Sequence, residues 1–456
     1  MLSRPACAPP PTSRSAPLGC GTAVGHSDLL ASLALNRTSL LALEHILHAE
    51  AAFLARACRL AHVRGTACYS TSPEAPEPAA CLPTFLGIGF EKCGSTKLFD
   101  LLARHPAVLT SRDKEANGFS ARPSGTEETP RMDSYLEEQY GAWRSRPGGL
   151  PIALGEYTPG YAEASGCALD GGRRAAPRLV VQLQVQLLLP PETRFIVAMR
   201  EPVERALSAY HYHIHTIDCW RRGPFRCLPP GTSFTVAVCH AAALLGGEEF
   251  LSSTQARLLA TRADENALAA AIDEEEAPWC LTHADVKRRA QPLRPAIFPH
   301  WDLLTPGLYY DNVAPWLGRF GAARFVWFDM GWLASSKAVA GFLACLGLPA
   351  HTYDDAELRK PSNTQTLATA DTAGAHSSVS ASARAQNVAA FRLLDAFYPR
   401  SNQLIYEMTG IGGDWPRTAP GSSAEPGASP AHLARLYRTA CRRCELNETT
   451  SMTHRC

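Results

Sequence analysis

Net charge is nearly absent from this chain. Its 44 lysines and arginines stand against 43 acidic residues, which leaves +1. No overall field draws it to nucleic acid, an anionic membrane or a polyanion, so any anion it binds must be met by local groups. Long apolar runs are missing too: no uninterrupted stretch reaches the roughly 18 residues that cross a bilayer. The charged, apolar and small-residue order of a signal peptide does not stand at Met1. The acid-free segment before Asp28, rich in Arg, Ser and Pro, instead has the character of an organelle transit peptide, so the start is expected to be mis-set. Internal repeats are not visible. No second Cys/His pair at zinc spacing accompanies Cys441 and Cys444, which favours a disulfide there over a metal.

A hydrophobic share of 46% argues against wholesale disorder, and 456 residues suffice for one large enzyme-sized core. Fifteen cysteines favour an oxidising compartment, with Cys219–Cys227 and Cys441–Cys444 as nearest-neighbour pairings. The triplets beginning at Asn36 and Asn447 fit the N-glycosylation sequon.

Residues 1–82 read as a Pro-rich tail, a stem helix near Leu40–Leu60 and a Pro/Glu-rich linker. Residues 83–415 read as the core and 416–456 as a Cys-containing tail. Within the core, the short apolar run from Thr84 to Phe90 ends in a Gly/Ser/Thr turn and is followed by Leu98, Leu101 and Leu102 at helical spacing. Phe195–Met199 leads through Arg200-Glu201-Pro202 into Val203, Leu207 and Tyr210, and Phe325–Phe328 precedes an apolar helix over Val339–Leu346. Strands alternating with helices imply a mostly parallel sheet. The stretch Val180–Leu187 alternates like a strand where a crossover helix belongs, and periodicity alone does not decide it. Residues 235–295 read as helical, and 368–385 as a surface loop.

Lys92-Cys93-Gly94-Ser95-Thr96-Lys97 lies between a strand and its helix, where backbone N–H groups and the positive helix terminus hold phosphates. An ATP-binding Walker loop has its lysine directly after the second glycine. Here the lysine stands two residues before Gly94, which suits the outer, transferred end of a 5′-linked diester. Arg200 and Ser208, a guanidinium at a strand end and a hydroxyl two turns into the next helix, could converge on a second phosphate.

Together these elements resemble the sulfotransferases that use 3′-phosphoadenosine 5′-phosphosulfate (PAPS), specifically the Golgi carbohydrate group. Further matches follow in that family's order: Arg104-His105-Pro106 with Lys114-Glu115, Gly155-Glu156-Tyr157-Thr158-Pro159, Gly307-Leu308-Tyr309, and Phe397-Tyr398-Pro399. The Lys-Cys-Gly form is similar to that of enzymes that 6-sulfate chondroitin-type N-acetylgalactosamine 4-sulfate. The resemblance implies a three-layer α/β, P-loop-like sulfotransferase fold with a mostly parallel sheet. It also implies PAPS as co-substrate with no metal, a glycan acceptor of glycosaminoglycan type, and a place in the Golgi lumen or secretory pathway.

The same resemblance makes Lys92 and Glu115 catalytic, with Glu156 as the competing base. It places Cys93, Gly94, Ser95, Thr96, Lys97, Arg200 and Ser208 on the cofactor. Tyr157 departs from it, standing where heparan-type members often carry lysine. His211 and His215 share a helix face without a third ligand, so they read as helix surface and acceptor-cleft lining. Arg173-Arg174 and Lys287-Arg288-Arg289 read as solvated basic runs. Two other classes are to be separated by experiment: a P-loop nucleotide kinase or ATPase, and a catalytically silent glycan-binding relative.

Overall fold

A computed structural model describes residues 80–119, 132–141, 151–162, 178–215, 232–262, 303–360, 387–412 and 428–445, with shorter pieces at 50, 53, 61–63, 66–69 and 415. Three short strands, β1 (Ala61–Val63), β2 (Thr66–Tyr69) and β3 (Ala80–Cys81), pair antiparallel ahead of the core, and a Cys68–Cys81 disulfide closes β2 on β3. The chain then runs β4 (Phe85–Gly89), α1 (Ser95–Arg104), β5 (Val108–Thr110), α2 (Met132–Tyr140), β6 (Ala153–Tyr157), α3 (Arg178–Leu188), β7 (Arg194–Met199) and α4 (Pro202–His215). It continues through α5 (Phe234–Leu245), α6 (Glu248–Ala260), α7 (Tyr309–Phe320), β8 (Phe325–Asp329), α8 (Ser336–Cys345) and α9 (Asp355–Arg359). The last described helices are α10 (Val388–Phe397), α11 (Pro399–Thr409) and α12 (Pro430–Glu445).

Strands β4 to β8 form one sheet in the order β5-β6-β4-β7-β8, with every neighbouring pair parallel. Every residue of β4, β6 and β7 is buried. Successive strand residues face opposite sides, so both faces of the sheet are covered, as a three-layer α/β fold requires. The crossover from β6 to β7 decides the ambiguous stretch: Val180–Leu187 lies in α3, because parallel strands of one sheet must be joined by a return over one of its faces. Its alternating glutamines have a use there, since Gln182 and Gln186 both accept from the Arg319 guanidinium, at 3.1 and 3.2 Å.

The chain leaves β4 for β5 on one side and later returns to β7 on the other. A crevice therefore opens beyond the carboxyl ends of β4 and β7, the ordinary place for a ligand in such sheets. Beyond the 83–415 core, α12 packs on α5, α6 and α10, buries Leu433, and is bonded through Cys441 to Cys239 of α5. The expected Cys441–Cys444 pair is thus corrected: Cys441 lies on the face of α12 that packs on α5, and its partner is 202 residues away in sequence. Among the described residues no single helix is long and apolar enough to cross a membrane.

Candidate active site

The loop from β4 to α1 is folded tightly. Lys92 and Gly94 take φ of +63° and +80°, and Cys93 N–H donates to Phe90 O at 3.3 Å. Glycine is needed at 94 for two reasons, the left-handed backbone and the space: a Cβ would stand 3.2 Å from both Leu333 and Met330. Helix α1 starts on this glycine without a side-chain cap and without an acidic residue in its first turn. Its positive end is therefore not offset by a carboxylate of that turn. Ser95 is buried and Thr96 half-buried at that end. The Lys92 ammonium sits over the Tyr212 ring, 3.9 Å from its centroid. Burial lowers its pKa; the Glu91 charge opposes that shift, and Lys114, Glu115 and Arg200 are close enough to act on it as well. Lys92, Lys114, Glu115 and Arg200, which span more than a hundred residues of sequence, thus share one neighbourhood.

Arg200 follows the last residue of β7. Its guanidinium rests on Glu204 at 3.3–3.4 Å, partly open to solvent, while Glu201 caps α4 by accepting from Val203 and Glu204 N–H at 3.0 and 2.7 Å. Burial pushes the Glu201 carboxyl up to about 8. Glu204, Ser208 and Tyr212 recur every four residues and so share one face of α4. That face begins beside the Arg200 fork and ends under Lys92.

The β4–α1 loop and the end of β7 are also joined from below. The Tyr309 hydroxyl donates to Arg200 O at 2.6 Å and accepts from Arg200 N–H at 3.4 Å. With its one proton so engaged, it accepts from the Cys93 thiol, also at 3.4 Å. Sequence reading had Tyr309 only as a motif match and missed this link. Its ring is fully buried between Phe90 and Trp415, so the polar tip must find its partners inside the fold, which no local pattern in the sequence announces.

Glu115 is exposed and paired with Lys114 at 2.5 Å, on a left-handed backbone with φ of +64°. Glu156 is fully buried. It accepts from the Tyr161 hydroxyl at 2.7 Å and from the Thr158 hydroxyl at 3.2 Å, and burial pushes its carboxyl up to about 7. Of the two carboxylates singled out from the sequence, Glu115 is thus exposed and Glu156 enclosed.

Other residues have structural duties. Lys97 donates to the carbonyls of Glu357 and Lys360, both at 2.8 Å, so its ammonium clamps the end of α9. Tyr157, the departure from lysine, passes its ring across Gly87, where any Cβ would meet it at 2.2–2.7 Å. Its hydroxyl donates to Gly89 O and accepts from Ala198 N–H, bridging β4 and β7 where their register breaks between Gly87 and Gly89. His105 accepts from Ala107 N–H on Nδ1, which leaves Nε2 to donate to Pro349 O, fixing the neutral tautomer.

His211 is exposed on α4, and His215 lies in the same helix with its side chain outside the described residues. No group of three possible metal ligands occurs among the described residues. Also outside them lie Cys219, Cys227, Arg173-Arg174, Lys287-Arg288-Arg289, the segment 368–385 and the Asn36 and Asn447 sequons.

No family model matches the chain. The membrane-associated sulfotransferase kil1 of Dictyostelium discoideum is 31% identical over 136 residues, covering 29% of this chain and 24% of that protein. Carbohydrate sulfotransferase 15 of Rattus norvegicus is 29% identical over 154 residues, covering 29% of this chain and 27% of that protein. The chain thus aligns with about a quarter of the length of these curated relatives. A crystal structure of a sulfotransferase from Alicyclobacillus acidocaldarius aligns over 72% of this chain and 95% of its own, at 16% identity and a TM-score of 0.36. In the stretch its sequence shares with other proteins, this chain is similar to the carbohydrate sulfotransferases, the family that its paired loops resemble.

Proposed function

We propose that this protein transfers a sulfuryl group from PAPS to a hydroxyl of a carbohydrate, a glycosaminoglycan-like glycan by the form of its Lys-Cys-Gly loop. The observation that carries the reading is the joining of two anion-suited elements through Tyr309 and one face of α4, with an exposed carboxylate beside them. The donor set fits a molecule with phosphate at both ends. The Lys92–Thr96 loop and the α1 terminus suit the 5′-phosphosulfate. The Arg200 fork and Ser208 suit the 3′-phosphate. Lys97 is left out, because its ammonium is committed to α9.

Glu115 takes the proton of the acceptor hydroxyl as that oxygen attacks sulfur. The bond from sulfur to the bridging phosphate oxygen breaks, and Lys92 stabilises the charge that collects there, leaving adenosine 3′,5′-bisphosphate. Positioning and electrostatics do this work, and the chemistry requires no metal. The Cys68–Cys81 and Cys239–Cys441 disulfides support a place in the secretory lumen.

Thermal protection tests the reading. PAPS should raise the melting temperature without Mg²⁺ at concentrations far below those at which ATP acts. Protection by Mg²⁺-ATP in preference to PAPS would make the protein a kinase or ATPase. Glycan binding with no protection by PAPS and no turnover would make it a silent relative.

A further inference from the structure

Glu156 is inaccessible to any acceptor, yet it is wired to the segment that carries Glu115. The Tyr161 and Thr158 hydroxyls each have one proton, and each gives it to Glu156. Their lone pairs then accept backbone N–H groups from the loop that follows Glu115: Phe119 N–H reaches Tyr161 at 3.0 Å, and Asn117 N–H reaches Thr158 at 3.3 Å. This loop needs tethering. Glu115 and Asn117 hold φ of +64° and +57°, and a non-glycine residue in the left-handed region costs about 1 kcal/mol or more. Gly118 is pressed against Tyr135 so closely that a Cβ would stand 2.3–2.8 Å from its ring. A third tie, Glu115 N–H to Tyr157 O at 3.1 Å, comes from the same stretch of β6.

We infer that Glu156 is a positioning residue that fixes the Lys114–Glu115 loop in its strained conformation through the paired hydroxyls of Thr158 and Tyr161. The inference rests on the reading of Glu115 as the base. One carboxylate orders both hydroxyls so that each presents an acceptor to the loop, and the loop presents the Glu115 carboxylate beside Lys92.

Thr158→Val and Tyr161→Phe each delete one relay at nearly constant volume, and Glu156→Gln can accept from only one of the two hydroxyls through its amide oxygen. With PAPS and chondroitin sulfate, each should lower kcat about 10- to 100-fold, the scale of a slight misplacement of a reacting group, while affinity for adenosine 3′,5′-bisphosphate stays within about threefold. Thr158→Ser, which keeps the hydroxyl, should restore the rate. In a Glu115→Gln background the same substitutions should cost less than about threefold more, since they act through Glu115.

Folded variants that turn over like the parent, or losses that multiply fully in the Glu115→Gln background, overturn the inference. If Glu115→Gln itself is fully active, the base assignment is what fails. The tether is then judged by amide hydrogen exchange, which should speed up at Asn117 in Thr158→Val and at Phe119 in Tyr161→Phe. Unchanged exchange at both amides overturns the tether itself.

Discussion

Replacing Tyr309 by Phe removes a single oxygen and leaves the ring seated against Phe90 and Trp415, 4.7 and 5.8 Å away. That oxygen carries three contacts: the donation to Arg200 O at 2.6 Å, the acceptance from Arg200 N–H at 3.4 Å, and the Cys93 thiol at 3.4 Å. The first is short and lies at a fully buried hydroxyl. Losing it leaves a carbonyl short of a donor at a cost of about 1–3 kcal/mol. The two longer contacts add less, so a total near 2 kcal/mol is expected. Part of this should appear as lost stability in urea unfolding, as a fall in midpoint at constant slope. The rest should appear in ligand binding, because the Lys92–Thr96 loop and the Arg200 strand end are no longer held to one another. Titration calorimetry should show adenosine 3′,5′-bisphosphate binding weakened about 3- to 30-fold. Cys93→Ala deletes the weak thiol contact, keeps both Tyr309 bonds to Arg200, and should do less on both counts. A Tyr309→Phe protein within about 0.5 kcal/mol of the parent, with unchanged ligand affinity, would refute the idea that this hydroxyl unites the two halves of the site.

Lys92→Ala should lower turnover about 10²- to 10³-fold with the fold intact, as for deletion of one preorganised charge-stabilising donor; activity within threefold of the parent removes Lys92 from the mechanism. Arg200→Ala should weaken PAPS about 10- to 150-fold and erase discrimination against the analogue lacking the 3′-phosphate, as measured by competition binding. Cys239→Ser should cost about 2–5 kcal/mol in urea unfolding, because the covalent tie between α12 and α5 is then lost. Glu156 holds its proton up to about 7 when folded, against 4.5 for the free group. The folded state therefore binds more protons across that window, and stability should fall as pH rises through it, by about 3 kcal/mol from this group alone. Glu156→Gln, which cannot ionise, should flatten that part of the pH profile in urea unfolding.

The strands of the parallel sheet were legible where a strand ended in a marked turn. Phe85–Gly89, Phe195–Met199 and Phe325–Phe328 all lie in strands of the sheet, because buried parallel strands are short continuous apolar runs. Strand β6 was hidden. Gly155-Glu156-Tyr157 carries a carboxyl and a hydroxyl into a fully buried strand, which no apolar pattern announces; the carboxyl is met there by the Thr158 and Tyr161 hydroxyls that the fold brings in.

The places of the Lys92–Thr96 segment between a strand and its helix, and of Arg200 at a strand end, could be read from residue type and spacing. The role of Lys97 could not, because its partners are carbonyls about 260 residues away. Cys441 misled for a similar reason: Cys444 is near in sequence, but helix packing, not sequence distance, chose Cys239. Tyr157 stood out only as a departure from lysine, yet Gly87 leaves room for its ring and the broken ladder between β4 and β7 uses its hydroxyl.

Incubation of the purified protein with ³⁵S-labelled PAPS and separate glycosaminoglycans, chondroitin sulfates among them, tests the central claim most directly. The account predicts label transferred to at least one glycan without added metal, release of adenosine 3′,5′-bisphosphate in equal amount, and loss of both in Lys92→Ala. Protein that binds PAPS yet transfers no label to any glycan, or that hydrolyses ATP in its place, would contradict it.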